Sequence, residues 1–99
     1  MHRVIFAPDA EAQLVALYFQ LAAAASPEIA DRYTEAIVEQ CEKLNTFPLR
    51  GTLRDDIRQG LRTFGFRRRV TIAFEVSVGT VTILGVFYGG QDLAATFEG

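Results

Sequence analysis

Ninety-nine residues are one domain's worth of chain, too short for two independent cores, and the reading places a single domain over residues 1–99. Hydrophobic residues make up 49% with eight Phe and three Tyr, and the 22% that are charged are scattered among them, which excludes a disordered chain. The net charge of −2 excludes a generic nucleic-acid binder. The apolar stretch from Leu14 to Ala25 is interrupted by Gln20 and falls short of the roughly 20 residues a membrane span needs, so no membrane role is expected.

Arg3 to Ala7 reads as a short strand, β-branched and aromatic, ended by Pro8. Pro8 suits a first helical position, with Asp9 and Glu11 in the first turn, and Leu14, Leu17, Tyr18 and Leu21 follow at helical spacing. Ser26-Pro27-Glu28 breaks that helix and starts another: a side-chain cap, a first-turn proline and a first-turn acid. The second helix carries Ile29, Tyr33, Ile37, Cys41 and Leu44 along one stripe and stops before Pro48. Two helices joined by so little chain must form an antiparallel hairpin.

Arg50 to Gly60 is polar and aperiodic, and is expected to be a loop. Leu61 to Phe66 is a candidate strand, Arg67-Arg68 a turn, and Val70 to Val78 alternates apolar even positions with Thr71, Ala73, Glu75 and Ser77. After a turn at Gly79-Thr80, Val81, Ile83 and Phe87 give another alternating strand, with Gly85 between them. The expected fold is α+β, in the order β-α-α-β-β-β, with the helix hairpin on one face of a mostly antiparallel four-stranded sheet.

Charge is unevenly spread. Met1 to Leu49 has three basic and seven acidic residues, a net −4, whereas Arg50 to Arg69 has seven Arg against Asp55 and Asp56, a net +5. Guanidinium forks without lysine suit carboxylates or phosphates; the alternative is a solvated face of internal ion pairs. Metal chemistry lacks ligands, because His2 and Cys41 are single and Asp55-Asp56 is adjacent and solvated. Cys41 lies on the apolar stripe, as a core residue does, and with no signal segment in view the lone cysteine points to the cytoplasm. No nucleotide-cradling glycine motif is present, and no cofactor is expected. One chemistry remains open, metal-free RNA cleavage, with Glu75 as base, Tyr88 as acid and arginines stabilising the phosphorane. Against it, a strand Glu is more often a cross-strand ion-pair partner, and a guanidinium is too weak an acid to shuttle protons.

Several pieces occur in a telling order: Phe6-Ala7-Pro8-Asp9-Ala10, Phe47-Pro48-Leu49-Arg50-Gly51, Gly60-Leu61-Arg62, Val70 to Val76, and Val86-Phe87-Tyr88-Gly89-Gly90-Gln91-Asp92. With the element order, they give a chain that resembles the RelE/ParE toxin superfamily over nearly its whole length, and its ParE-like branch in particular. The resemblance implies the toxin of a type II toxin–antitoxin pair, plasmid stabilisation, DNA gyrase as the poisoned target, and a cognate ParD-like antitoxin in a heteromeric complex. It suggests target contacts through Arg58, Arg62, Arg67, Arg68, Arg69, Tyr88 and Gln91, and antitoxin contacts through Tyr18 and Phe19. Arg62, just after Gly60-Leu61, is expected to be partly structural, paired with an acidic helix residue. A RelE-like, ribosome-dependent endoribonuclease using Glu75 and Tyr88 is the alternative. A non-toxic interaction domain is a second, since Gln91 and Tyr88 stand where the superfamily often has Arg and His. The acidic total and single Lys43 favour the gyrase reading, because affinity for ribosomal RNA depends on neutralising phosphates.

Overall fold

A computed structural model describes residues 1–89 and 93–97. Strand β1 (Arg3–Phe6) leads into helices α1 (Pro8–Ala24) and α2 (Pro27–Glu42), and a 3-10 turn at Lys43–Asn45 extends α2. Strands β2 (Thr52–Leu53), β3 (Arg62–Phe66), β4 (Val70–Ser77) and β5 (Thr80–Tyr88) follow, then a short helix α3 (Leu93–Phe97). The sheet runs β1-β5-β4-β3-β2; β1 lies parallel to β5 and every other pair is antiparallel. The α+β class, the helix hairpin and the mostly antiparallel sheet follow the sequence reading, with a fifth strand added. That strand is the two-residue β2 inside the expected loop, too short to show a period and held by pairing Thr52 with Thr63 and Leu53 with Arg62.

Ser26 caps α2 as its sequence suggested: the Ile29 N–H donates to Oγ at 3.2 Å and Pro27 fills the first turn. The helix-side core joins Ala10 and Leu17 of α1 and Ile37 and Cys41 of α2 to Val70, Ile72 and Phe74 of β4 and to Val81, Ile83 and Val86 of β5. Val76 packs at its margin. Val78 departs from the expected pattern and is fully exposed, because the chain reverses at Val78-Gly79, one residue early, and Ser77 pairs with Thr80. Ile29 is 43% exposed although it falls on the apolar stripe, while Ala30 beside it is buried.

A register shift at Ala73/Phe74 inserts Leu84 as an extra residue in β5. Val81 and Ile83 therefore face the helices before it, and Val86 and Tyr88 after it, so Phe87 moves to the opposite face. There Phe87 packs with Leu61 and Ala73 in a second cluster, covered by Ile57, Leu93 and Phe97. A simple alternation through Gly85 had put Phe87 in phase with Ile83; the bulge undoes that. Gln13 of α1 accepts the Val86 N–H at 2.7 Å just beyond the bulge. A Cβ at Gly85 would collide with the Phe87 ring and stand 3.2 Å from Gln13 Oε1, so only glycine fits.

Candidate functional site

The basic window does not form one patch. Arg58 lies on the sheet face away from the helices, with Nη2 3.4 Å from Glu75 Oε2 and its guanidinium 5.9 Å from the Phe97 ring. Arg54 grips Asp56 with two bonds of 3.0 and 2.9 Å, which hold the Asp56 carboxyl below its ordinary range. Arg50 sits 4.5 Å from the Phe64 ring and donates to Gln40. Arg62 is structural, but its partners differ from the acidic helix residue expected. It donates to the Leu49 carbonyl at 2.8 Å and the Arg50 carbonyl at 3.3 Å, tying the chain before β2 to β3. The sheet edge brings backbone, not a carboxylate, within its reach.

Arg67, Arg68 and Arg69 project from the β3–β4 turn, where all three are exposed. Arg67 and Arg68 have φ of 49° and 63°, a left-handed geometry that other turns fill with Gly or Asn, and the Arg69 N–H closes the turn on the Phe66 carbonyl at 3.2 Å. The Arg67 guanidinium lies 4.8 Å from the Phe66 ring and 5.5 Å from Tyr33. Tyr33 packs edge-on to Phe66 and Tyr88, at 5.5 and 6.4 Å between ring centres. Its buried hydroxyl has no hydrogen-bond partner among the described residues. Burial, then the neighbouring Tyr88, raise its pKa, with Arg67 and Arg69 opposing. Ile29, Arg32, Tyr33 and Arg67 line a cleft of about 330 Å³ beside this turn.

Glu75 and Tyr88 are not brought together. Tyr88 packs against the helix-side core and Glu75 is on the other face with Arg58. Glu75 pairs with Thr82 and Val70 with Tyr88, so the two also lie about five ladder positions apart, roughly 16 Å at the usual strand rise. Gln91 lies outside the described residues. Among the described residues, no group of three or more His, Cys, Asp or Glu could hold a metal ion, and no helix is long and apolar enough to cross a membrane.

A second surface lies on the outer side of the helix hairpin. Leu14, Val15 and Tyr18 of α1 face Thr34, Glu35, Val38, Glu39 and Glu42 of α2 across a groove of about 520 Å³. It shares Leu14, Val15 and Val38 with a neighbouring groove lined by Val4, Ile5, Phe6 and Glu11, along β1. Tyr18 lines the groove, while Phe19 is 64% exposed and meets Tyr18 edge-on at 5.4 Å. The sequence reading named those two aromatics but missed the acidic rim, which recurs at Glu35, Glu39 and Glu42 with helical spacing. It also missed Arg32, whose nearness to Arg67 depends on how α2 packs against the β3–β4 turn.

The family model of the ParE toxin of the type II toxin–antitoxin system, parDE, matches residues 4–93. Among solved structures, the chain is similar to one titled "Chromosomal ParDE TA system from P. aeruginosa". The identity is 27% and the TM-score 0.79, over 90% of this chain and 97% of that one. No curated protein matches it in sequence.

Proposed function

Because this chain belongs to the ParE family of type II toxins, we propose that it acts in the cytoplasm by binding and poisoning DNA gyrase, and that a cognate ParD-like antitoxin silences it in a heteromeric complex. The observation that carries the binder over the nuclease is the separation of Glu75 from Tyr88 on opposite faces of the sheet. General acid–base cleavage needs both groups within hydrogen-bond reach of one ribose phosphate, directly or through a water. An intervening sheet does not allow that. The target surface in this reading is the β3–β4 turn, where Arg67, Arg68 and Arg69 stand exposed and Arg67 is held against aromatic rings.

The antitoxin occupies the paired grooves on the helix hairpin. Val15 and Phe19 are 56% and 64% exposed beside an apolar floor, and Glu35, Glu39 and Glu42 rim it. An amphipathic segment with basic residues along its polar side complements that surface. Such a segment, disordered alone, offsets its ordering entropy by covering a large area.

Controlled expression in bacteria tests the proposal. DNA-damage signalling and filamentation before any loss of translation are expected. Immediate loss of translation would instead support the ribosome-dependent endoribonuclease, and undisturbed growth would support a non-toxic interaction domain.

A further inference from the structure

We propose that the cleft between the first turns of α2 and the β3–β4 turn is a carboxylate-binding site for an acidic segment of a protein partner. Arg32 and Arg67 supply the donors, and Ile29 with the Tyr33 ring forms the apolar wall. The inference rests on the reading of this chain as a protein-binding toxin only in taking the partner to be a protein.

Four observations converge. First, Arg32 of α2 and Arg67 of the β3–β4 turn line one cleft, so a group entering it lies between two arginine side chains. Second, neither has a carboxylate partner within 4.0 Å among the described residues, whereas Arg54 and Arg58 both do. Arg32 makes no ion pair with Glu28 or Glu35, its neighbours by helical spacing. Third, Arg67 is already held in place, 4.8 Å from Phe66 and 5.5 Å from Tyr33. A guanidinium held against aromatic rings keeps its planar N–H fork for a bidentate partner and loses little freedom on binding. Fourth, Arg67 and Arg68 both sit at positive φ, where local preference favours Gly or Asn. Backbone strain of this kind clusters at binding sites.

The same surroundings select carboxylate over the phosphates of a nucleic acid. Ile29, 43% exposed in the cleft wall, offers contact to an apolar side chain next to the acid, which a phosphodiester backbone does not provide. Glu28 and Asp31 are exposed on the same turns of α2 and repel an extended polyanion, as does the net charge of −2. The ligand is therefore an acidic side chain flanked by an apolar one.

Calorimetric titration of the folded full-length chain tests this with three probes. They are a short capped peptide with one glutamate between two leucines, the same peptide with glutamine for glutamate, and a short oligothymidylate. The glutamate peptide is expected to bind about tenfold or more tightly than its glutamine counterpart. Arg32→Gln and Arg67→Gln should each weaken it by about tenfold. Arg67→Lys, which keeps the charge but not the fork, should also weaken it. Arg3→Gln, at the opposite end of the sheet, should leave it unchanged. Equal affinity for the two peptides, no binding of either, or unchanged binding by Arg67→Gln would overturn the site. Tighter binding of oligothymidylate, lost in the same variants, would overturn it in favour of phosphate. A chain that binds the glutamate peptide yet leaves gyrase unaffected keeps the site and loses only the proposed target.

Discussion

The Arg62 guanidinium donates to the carbonyls of Leu49 and Arg50, and it is half-buried where β2 begins. Hydrogen bonds from a charged donor contribute about 1.5–3 kcal/mol when sheltered and less when wet. Arg62→Ala should therefore lower stability by about 1–2 kcal/mol in urea unfolding, while Arg68→Ala, exposed in a turn, should stay within about 0.5 kcal/mol of the parent. Equal effects would mean that the Arg62 tether contributes nothing. Cys41 gives a second expectation at this scale. Burial, with Glu42 adding and Arg50 opposing, pushes its thiol from 9.0 up to about 12, and burial raises Tyr33 in the same direction. The folded chain then keeps protons that the unfolded chain releases. Stability should be full below about pH 9 and fall as pH rises toward about 12, more shallowly in Cys41→Ala. A parent whose urea midpoint stays flat from pH 8 to 11 would contradict this. Cys41 as core and Ser26 as cap were legible in sequence because each depends on near neighbours. The partners of Arg58 and Arg62 were not, because Glu75, Leu49 and Arg50 reach them only through the sheet.

At the scale of elements, β4 is the central test. Phe74 is fully buried between the helices and the sheet, whereas Val78 in the following turn is fully exposed. Truncating a buried Phe removes its transfer energy and leaves a cavity, so Phe74→Ala should cost about 3–5 kcal/mol. Val78→Ala should cost almost nothing. Thermal melts of the two variants would contradict the register if Val78→Ala were the more damaging. Periodicity located β4 and the helix hairpin because those elements bury one face over many residues. It could not show β2, which has two residues, nor the phase change at Leu84, where an inserted residue sends Phe87 to the far face. Gly85 carried the hint: a glycine inside a strand pattern marks a bulge or a close approach.

For the whole molecule, family membership was legible because the motifs are strung along the chain in order, and residues 4–93 match the ParE toxin model. The two surfaces were less so. Assembling the groove needs α1 against α2, and assembling the cationic cleft needs α2 against the β3–β4 turn. If the groove holds the antitoxin, Glu35→Lys with Glu39→Lys should weaken capture of the operon's neighbouring product by tenfold or more in a pull-down titration. The same pair of changes should leave toxicity intact, since neither residue lines the cleft between Arg32 and Arg67. Loss of toxicity with unchanged capture would exchange the roles of the two surfaces. The claim that the chain is a non-catalytic gyrase poison is tested most directly by adding the purified, folded chain to gyrase and relaxed plasmid, and in parallel to translating ribosomes. The account predicts inhibited supercoiling that weakens in Arg67→Ala and Arg68→Ala, with messenger RNA left intact. Normal supercoiling together with ribosome-dependent messenger cleavage, lost in Tyr88→Phe, would contradict it.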